Sequence, residues 1–542
     1  MTDVRDTRPP AAPTETPVVP PASQPGSGQG ASDGRRSILG AALDGILAGG
    51  VSIGVATLLA GIVSWLGLSL GTSSPVPAVG GAFVDRTPPW LKNFAVNTFG
   101  TNDKLALFCS MGVVLVAVCA AIGLVARRRR TLAFVLLAVV GAVGALAVIS
   151  RPSSSAVDVL PTIVGTLVGL NVLSRLRPAD PEDARTDVRW GLPAVTRRRV
   201  IAGGGAVVAA VVGSSIGGAG SAARAARDEV ALPPANPLPS VAGTSVNVEG
   251  VSPFISPNES FYRIDTALVV PQLDTATWSL RVYGEVEQEI TIDWATLLKQ
   301  KLEQHMLTLT CVSNEVGGDL VGNADWVGWP VRNLLAMARP KPGADMVLSR
   351  SSDGFTAGTP IEALTDDRNA MIAVGMNGKA LPFEHGFPAR LVVPGLYGYV
   401  SATKWVTELK VTRFAADQGY WTPRGWSAKG PIKTASRIDV PRANKPIAAG
   451  TAAIAGVAWA QHTGVSKVEV QVDEGPWQEA TLAAEATVDA WRQWVLPWQA
   501  ASGRHRIRVR ATDKTGATQV EQEAPPDPDG STGWHTITVS VA

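Results

Sequence analysis

Apolar residues in the first two-fifths of the chain form runs long enough to cross a bilayer. A transmembrane helix needs about 20 predominantly apolar residues, and five runs approach or exceed that length: 46–70, 105–126, 132–149, 157–173 and 200–216. The last two runs are shorter and Gly-rich, and short apolar runs are also typical of buried core helices. We therefore predict a membrane anchor of about five helices over residues 38–218, held in membrane lipid.

Arginines occur at alternate ends of these runs. They precede the first run, separate the second from the third and separate the fourth from the fifth: Arg35, Arg36, Arg127 to Arg130, Arg175, Arg177 and Arg197 to Arg199. Because cytoplasmic loops are enriched in Lys and Arg, the pattern predicts a multi-pass protein of the cell membrane. Five crossings from a cytoplasmic N-terminus place the rest of the chain on the extracytoplasmic side. The segment 196–201 resembles an internal twin-arginine export signal, with ordinary positive-inside charge as the alternative.

The polar regions divide the remainder of the chain. Residues 1–37, rich in Pro, Ser, Thr and Gly, predict a disordered cytoplasmic tail, and residues 219–245 predict a linker. Short β-type runs punctuated by Gly and Pro predict an α+β domain over residues 246–430. More regular runs with almost no helical periodicity favour an immunoglobulin-like β-sandwich over residues 431–542.

Composition excludes several functions. A net charge of +2 is too close to neutral for a nucleic-acid-binding protein. No histidine precedes His305, so the predicted spans cannot hold a haem between paired imidazoles. The acidic residues of the apolar runs, Asp44 and Asp158, lie near their ends and give an ion pathway little to use. Anchoring is the simplest role for the helices.

Cys311 is the one cysteine beyond the apolar runs, which contain Cys109 and Cys119. It follows the alternating run 307–310, which predicts a strand, so Cys311 stands where the strand ends. A lone cysteine is most often buried and inert, whereas a thiolate is also a soft ligand for a transition metal. This window alone leaves both interpretations open.

Several segments around Cys311 form an ordered set of motifs: 256–265, 308–314, 326–330, 376–378, 384–390, 393–395 and 401–405. In this order they resemble the sulfite oxidase family of molybdopterin-dependent enzymes over nearly all of the C-terminal half. The resemblance implies a molybdenum-molybdopterin cofactor, Cys311 as the protein ligand to molybdenum, and oxygen-atom transfer at the metal. It also implies that the C-terminal domain is immunoglobulin-like and contributes to a homodimer.

The same resemblance implies the residues of the site. Arg263 and Tyr420 would face the substrate beside Cys311. Charged side chains and backbone amides would bind the phosphate and the pterin, although each residue alone is more typical of a surface ion pair or a satisfied core polar group. The implied cofactor-binding residues are Asn258, Phe261, Tyr262, Arg263, Ile264, Asp265, Asp353, His385, Arg390, Ala402, Thr403 and Lys404.

The predicted substrate pocket departs from a sulfite-oxidising one. Where two further arginines are expected, this chain has Glu315 with Val316, and Asp527 with Asp529, so a dianion would lose electrostatic partners. Reduction of an S-oxide or N-oxide and oxidation of a small oxyanion both remain open for the small-molecule substrate. No haem module is recognisable, which implies a separate electron-transfer partner that is haem- or quinone-linked. The alternative is a non-enzymatic, membrane-tethered binding or adhesion protein that retains the fold.

Overall fold

The computed structural model describes residues 29–66, 73–88, 103–151, 154–176, 227–235 and 241–542 except residue 444, together with isolated positions between 68 and 98. The fifth predicted span (200–216), the 196–201 motif and residues 1–28 of the predicted tail lie outside the described residues. The first helix begins at Gln29, so the last part of the predicted tail is helical.

In the described part of residues 29–176, five helices form what is called here the helical region: α1 (Gln29–Trp65), α2 (Pro75–Arg86), α3 (Asp103–Ala126), α4 (Arg130–Ile149) and α5 (Ala156–Arg175). Four segments of the described chain are long and apolar enough to cross a membrane: Ile38–Trp65, Lys104–Ala126, Arg130–Ile149 and Ala156–Arg175. The helical character of the first four predicted runs is thereby confirmed. Helix α2 was not predicted, because it is short and ends in Asp85 and Arg86.

Small residues let the long helices approach closely. Gly45 of α1 lies against Gly123 of α3, and an added Cβ at either glycine would overlap the backbone of the other helix. Gly165 of α5 lies equally close to the backbone of Ser52 in α1, as expected where close approach of helix backbones drives packing. Arg130 donates a hydrogen bond to the carbonyl of Ser174. The start of α4 and the end of α5 are therefore at the same end of the helical region.

The central region, residues 241–430, contains two sheets and three short helices. The first sheet has the order β2-β1-β10-β5-β6, and the second has the order β3-β4-β7-β8 with β9 also paired to β7. Strands β1 and β10 are parallel, whereas the other pairs are antiparallel. The strands are β1 (Ser279–Gly284), β2 (Ile290–Asp293), β3 (Glu303–Thr310), β4 (Val321–Pro330), β5 (Met346–Ser351), β6 (Thr356–Pro360), β7 (Met371–Met376), β8 (Lys379–Ala380), β9 (Arg390–Val392) and β10 (Val406–Thr412).

The helices of the central region are α6 (Trp294–Leu298), α7 (Val331–Ala338) and α8 (Glu362–Thr365). Asp293 caps α6 by accepting a hydrogen bond from the backbone amide of Thr296, which satisfies one donor that the first turn leaves unpaired. Leu335 of α7 is fully buried in one core with Leu280 and Leu409 of the first sheet. A second core under β3 and β4 contains Phe261 and Trp326, and it supports the end of β3, where Cys311 follows.

The C-terminal region, residues 431–542, consists of two four-stranded sheets with the orders β11-β12-β16-β15 and β14-β13-β17-β18. Its strands are β11 (Ala435–Val440), β12 (Gly450–Trp459), β13 (Val465–Val472), β14 (Gln478–Glu479), β15 (Thr481–Leu482), β16 (Arg492–Ala500), β17 (Gly503–Asp513) and β18 (Thr536–Val541). Fully buried Ile454 and Trp494 of one sheet share a core with Val468 and Val509 of the other. The predicted β-rich character is confirmed, and the immunoglobulin-like assignment stays a prediction.

Candidate active site

A cavity in the central region collects most of the predicted site residues. Its walls come from the segment before β1, the end of β3, the turns around β9 and the segment after β10. The predicted residues that line it are Phe261, Tyr262, Ile264, Asp265, Cys311, Asp353, His385, Arg390, Ala402 and Lys404. Residues separated by up to 143 positions in the sequence therefore converge on one cavity, and their role in binding a cofactor stays a prediction.

Cys311 enters the cavity from the end of β3. Its backbone amide donates to the carbonyl of Leu320 (2.9 Å), and its own carbonyl accepts from Asn314 (3.1 Å). Burial raises the pKa of the Cys311 thiol, and hydrogen bonds from Ser313 offset only part of this increase. A metal cation beside the sulfur would reverse this preference, because coordination stabilises the thiolate.

Arg390 places a buried cation in the same cavity. Its guanidinium donates to the carbonyls of His385 (3.1 Å) and Ala402 (3.4 Å), and it lies 5.1 Å from the centre of the Trp326 ring. Burial lowers the pKa of Arg390 to about 10, so the group is still charged at neutral pH. Its hydrogen bonds go to neutral oxygens, and the charge therefore favours an anionic ligand.

Lys404 is the second buried cation. Its ammonium group pairs with Asp265 (2.7 Å) and donates to the carbonyl of Glu384 (3.1 Å). Burial lowers the pKa of Lys404 to about 8, although Asp265 partly opposes this change. Burial alone would raise the pKa of Asp265, but the charge of Lys404 and a hydrogen bond from Arg263 hold it well below its usual range.

His385 supplies a neutral imidazole between these cations. Burial lowers the pKa of His385 to about 4, and a hydrogen bond to the Asn258 carbonyl opposes the change only in part. The ring is neutral at pH 7, and its Nε2 lies 3.0 Å from that carbonyl oxygen. Because a carbonyl only accepts hydrogen bonds, Nε2 carries the proton and Nδ1 is an acceptor.

Four predicted residues lie outside the lining of the cavity. The side chain of Asn258 accepts a hydrogen bond from Asn377 (2.7 Å), and the buried hydroxyl of Thr403 lies 2.7 Å from that of Ser349. Arg263 is partly exposed and pairs with Asp265 (2.8 Å). The ring of Tyr420 packs beneath the guanidinium of Arg424, 3.7 Å away. These side chains support the walls of the cavity.

Sequence reasoning missed an aromatic wall of the cavity. Trp421 and Trp426 line it, with ring centres 6.2 Å apart, and Tyr399 donates to the carbonyl of Ser427 (2.7 Å). Trp421 directly follows Tyr420, so the 419–421 motif and this wall belong to one segment, and the role of Tyr420 at the substrate stays a prediction. The sequence signal for Trp426 was that an aromatic residue again directly follows a glycine, Gly425.

The residues of the cavity fit a molybdopterin group. A thiol suits a soft metal, while a guanidinium and an ammonium suit a phosphate and a polar pterin. Gly386 allows the chain to pass between these cations, because an added Cβ would lie 3.0 Å from Cβ of Arg390 and 3.2 Å from Cα of Lys404. Its φ of +112° also favours glycine. Cys311, Arg390 and Lys404 would hold the group.

Comparisons with known proteins agree with this chemistry. The family model described as "Oxidoreductase molybdopterin binding domain" matches residues 267–421. The chain is 28% identical over 340 residues to mitochondrial sulfite oxidase of Mus musculus, covering 53% of this chain and 62% of that protein. It is 26% identical over 343 residues to mitochondrial sulfite oxidase of Homo sapiens, with coverage of 53% and 62%.

Among solved structures, the sulfane dehydrogenase SoxCD from Paracoccus pantotrophus aligns with a TM-score of 0.47 and 25% identity, covering 54% of this chain and 81% of that chain. The chain spans about three-fifths of the length of the curated relatives it matches. The matched domain and these relatives, together with the converging donor set of the cavity, show that the chain contains a molybdopterin-binding oxidoreductase domain similar to that of the sulfite oxidases.

Proposed function

We propose that this chain is a membrane-anchored, extracytoplasmic molybdopterin-dependent oxidoreductase that transfers an oxygen atom to or from a small substrate. The observation that carries the proposal is the presence of the Cys311 thiol in one buried cavity with Arg390 and Lys404. When bound, the cofactor supplies two-electron oxygen-atom transfer. The non-enzymatic alternative gives no reason for a thiol and two buried cations to share a cavity.

The residues of the chain bind the cofactor, orient it and shield it from water. Cys311 ligates the metal, and the cations of Arg390 and Lys404 bind the anionic part of the cofactor. Neutral His385 donates from Nε2 to the carbonyl of Asn258 and offers Nδ1 as an acceptor. The indole rings of Trp421 and Trp426 form an apolar wall, which excludes water and strengthens the electrostatic interactions inside the cavity.

We favour a neutral substrate such as an S-oxide or N-oxide over a dianion, because Glu315 with Val316 and Asp527 with Asp529 stand where the family resemblance leads us to expect two further arginines. Glu315 and Val316 line a second cavity of about 400 Å³ beside the cysteine loop, and Asp529 at its edge pairs with Lys433 (2.8 Å). Reduction of an S-oxide consumes two electrons and two protons and releases water. A separate haem- or quinone-linked partner supplies the electrons. Steady-state rates with methionine sulfoxide and with sulfite distinguish the two directions.

The proposed sidedness follows from the ends of the helices. Arg127 to Arg130 lie where α3 ends and α4 begins, whereas Lys104 at the opposite end of α3 contacts the central region. The fifth predicted span would return the chain to the side of the membrane on which Lys104 and the central region lie. An impermeant maleimide applied to intact cells should label Glu474→Cys, whose native side chain is 81% exposed, and leave Arg128→Cys unlabelled. The reverse pattern would refute the sidedness.

The C-terminal region is proposed to be immunoglobulin-like and to take part in a homodimer. Its support is the pair of four-stranded sheets around one core and the resemblance to the family. Light scattering of the purified protein tests the dimer, and a monomeric mass at micromolar concentration would contradict it.

The decisive experiment is metal analysis of the full chain, produced in cells that make the molybdenum cofactor. The wild type should contain near-stoichiometric molybdenum, while Cys311→Ser should lose most of it or change the spectrum of the metal centre, with activity reduced at least ~100-fold. Cys109→Ser is the matched control and should retain both. Folded wild-type protein without molybdenum would favour the binding or adhesion protein.

A further inference from the structure

The helical region contacts one wall of the cofactor cavity through Lys104 at the start of α3. Its ammonium group pairs with Oδ1 of Asp265 (2.9 Å) and donates to the main-chain carbonyl of Ala267 (2.8 Å). The Asp265 side chain is only 3% exposed, whereas that of Lys104 is 33% exposed. A residue of a membrane-type helix therefore reaches a buried carboxylate of the cavity lining.

A second contact is made on the aromatic wall. Arg424, whose guanidinium lies over the Tyr420 ring beside Trp421, donates to the main-chain carbonyl of Asp85 at the end of α2 (3.4 Å). The Asp85 carboxylate pairs in turn with Arg151 (2.8 Å), which follows α4. Two walls of one cavity are thus joined to the same helical region.

The contact through Lys104 acts on the cations that face the cavity. Oδ1 of Asp265 pairs with Lys104, and Oδ2 pairs with both Lys404 and Arg263. Because part of the carboxylate's charge is satisfied by Lys104, Lys404 keeps more of its positive charge for a ligand. Loss of Lys104 would leave the carboxylate to be neutralised by Lys404 and Arg263 alone, and the cavity would lose one positive charge.

We infer that the helical region completes the cofactor site and that Lys104 is a positioning residue for binding of molybdopterin. It fixes Asp265 and, through this carboxylate, the ammonium group of Lys404. The inference rests on the proposed use of the cavity for molybdopterin. It assigns to the membrane anchor a part in retaining the cofactor.

The test compares cofactor release from full-length variants purified in detergent. Lys104→Met removes the charge, and Lys104→Arg keeps it. Lys410→Met is the matched control, because Lys410 lies outside the cavity lining, is 36% exposed and pairs with Asp417 at 2.8 Å. The measurement is molybdenum and pterin remaining with the protein after dilution, as a function of time, together with the thermal unfolding midpoint of each variant.

Lys104→Met should release molybdenum roughly fivefold faster than the wild type, while Lys104→Arg and Lys410→Met should stay within about twofold and all midpoints within a few degrees. Equal release from Lys104→Met and the wild type would overturn the inference, as would equal acceleration in Lys410→Met. Failure to recover molybdenum with the wild type would instead overturn the proposed function.

Discussion

Two buried aspartates, Asp265 beside the cofactor cavity and Asp489 between the central and C-terminal regions, have similar surroundings and different roles. Each is a buried carboxylate that pairs with basic side chains. Asp265 is surrounded by lysine and arginine, whereas Asp489 pairs with His305 (2.9 Å) and His462 (3.4 Å). Burial would raise the pKa of each carboxyl, but the lysine and arginine side chains around Asp265 and the imidazoles around Asp489 lower it instead. The carboxylate at the cavity orders cations for a ligand, while the one at the interface joins two parts of the chain.

The largest effect that tests this comparison is expected at the interface. The hydrogen bond with His305 and the nearby imidazole of His462 outweigh burial and lower the pKa of Asp489 to about 2. Such a carboxylate contributes stability above its unfolded pKa near 3.9 and loses it as the pH falls through 2. Asp489→Asn should therefore lower the free energy of unfolding at pH 7 by about 2 kcal/mol, measured as a fall of several degrees in the thermal midpoint.

Asp473→Asn is the matched control for this substitution. Asp473 also pairs with a histidine, His505 at 2.8 Å, but its side chain is 49% exposed, and exposed pairs contribute little. The control should change the thermal midpoint by less than Asp489→Asn, and both variants should retain molybdenum. Loss of molybdenum from Asp489→Asn would contradict the proposal that Asp265 serves ligand binding whereas Asp489 only joins the two regions.

The second test concerns the cavity and its pH dependence. Because burial lowers the pKa of Lys404 to about 8, its positive charge is present at pH 7 and is lost as the pH rises through 8. Cofactor release from the wild type should accelerate several-fold between pH 7 and pH 9, measured as molybdenum remaining after dilution. In Lys404→Arg the acceleration should disappear, since a guanidinium stays charged. The same acceleration in both proteins would assign it to another group.

The smallest effect is expected from the histidine of the interface. The carboxylate of Asp489, whose Oδ1 lies 3.4 Å from Nδ1 of His462, raises the pKa of His462, and burial opposes this only in part. The pair contributes stability below the unfolded pKa near 6.5, and this contribution is lost as the pH rises through the higher folded value. It should amount to less than about 1 kcal/mol, because the ring is one-third exposed. His462→Gln should flatten the fall in thermal midpoint between pH 6 and pH 9; an unchanged slope would contradict this.

The central site was predictable because its residues belong to short ordered motifs. Cys311, His385, Arg390 and Lys404 were each placed by a local segment, and the structure brings them to one cavity. Tyr420 packs against Arg424 beside the aromatic wall, and its role at the substrate stays a prediction. Rings at neighbouring positions have similar chemistry, and only the packing decides which one faces the cavity.

The long apolar runs were equally predictable, since length and hydropathy alone define them. The first span begins at Ile38 and not at residue 46, because helices extend beyond their most apolar part. The contact between Lys104 and Asp265 could not be predicted. These residues are 161 positions apart, and no periodicity or motif couples a helix end to a distant turn.

The loop that carries Cys311 is held from behind by the C-terminal region. Ser531 donates to the carbonyl of Asn314 (2.6 Å), and Arg437 donates to that of Gly318 (2.8 Å). The recognised family domain ends at residue 421, before either of these supports. For protein engineering, a gene fragment cut at that boundary would encode the metal ligand without the scaffold of its loop. A fragment that keeps both of these hydrogen bonds must extend at least through Ser531 and therefore include most of the C-terminal region.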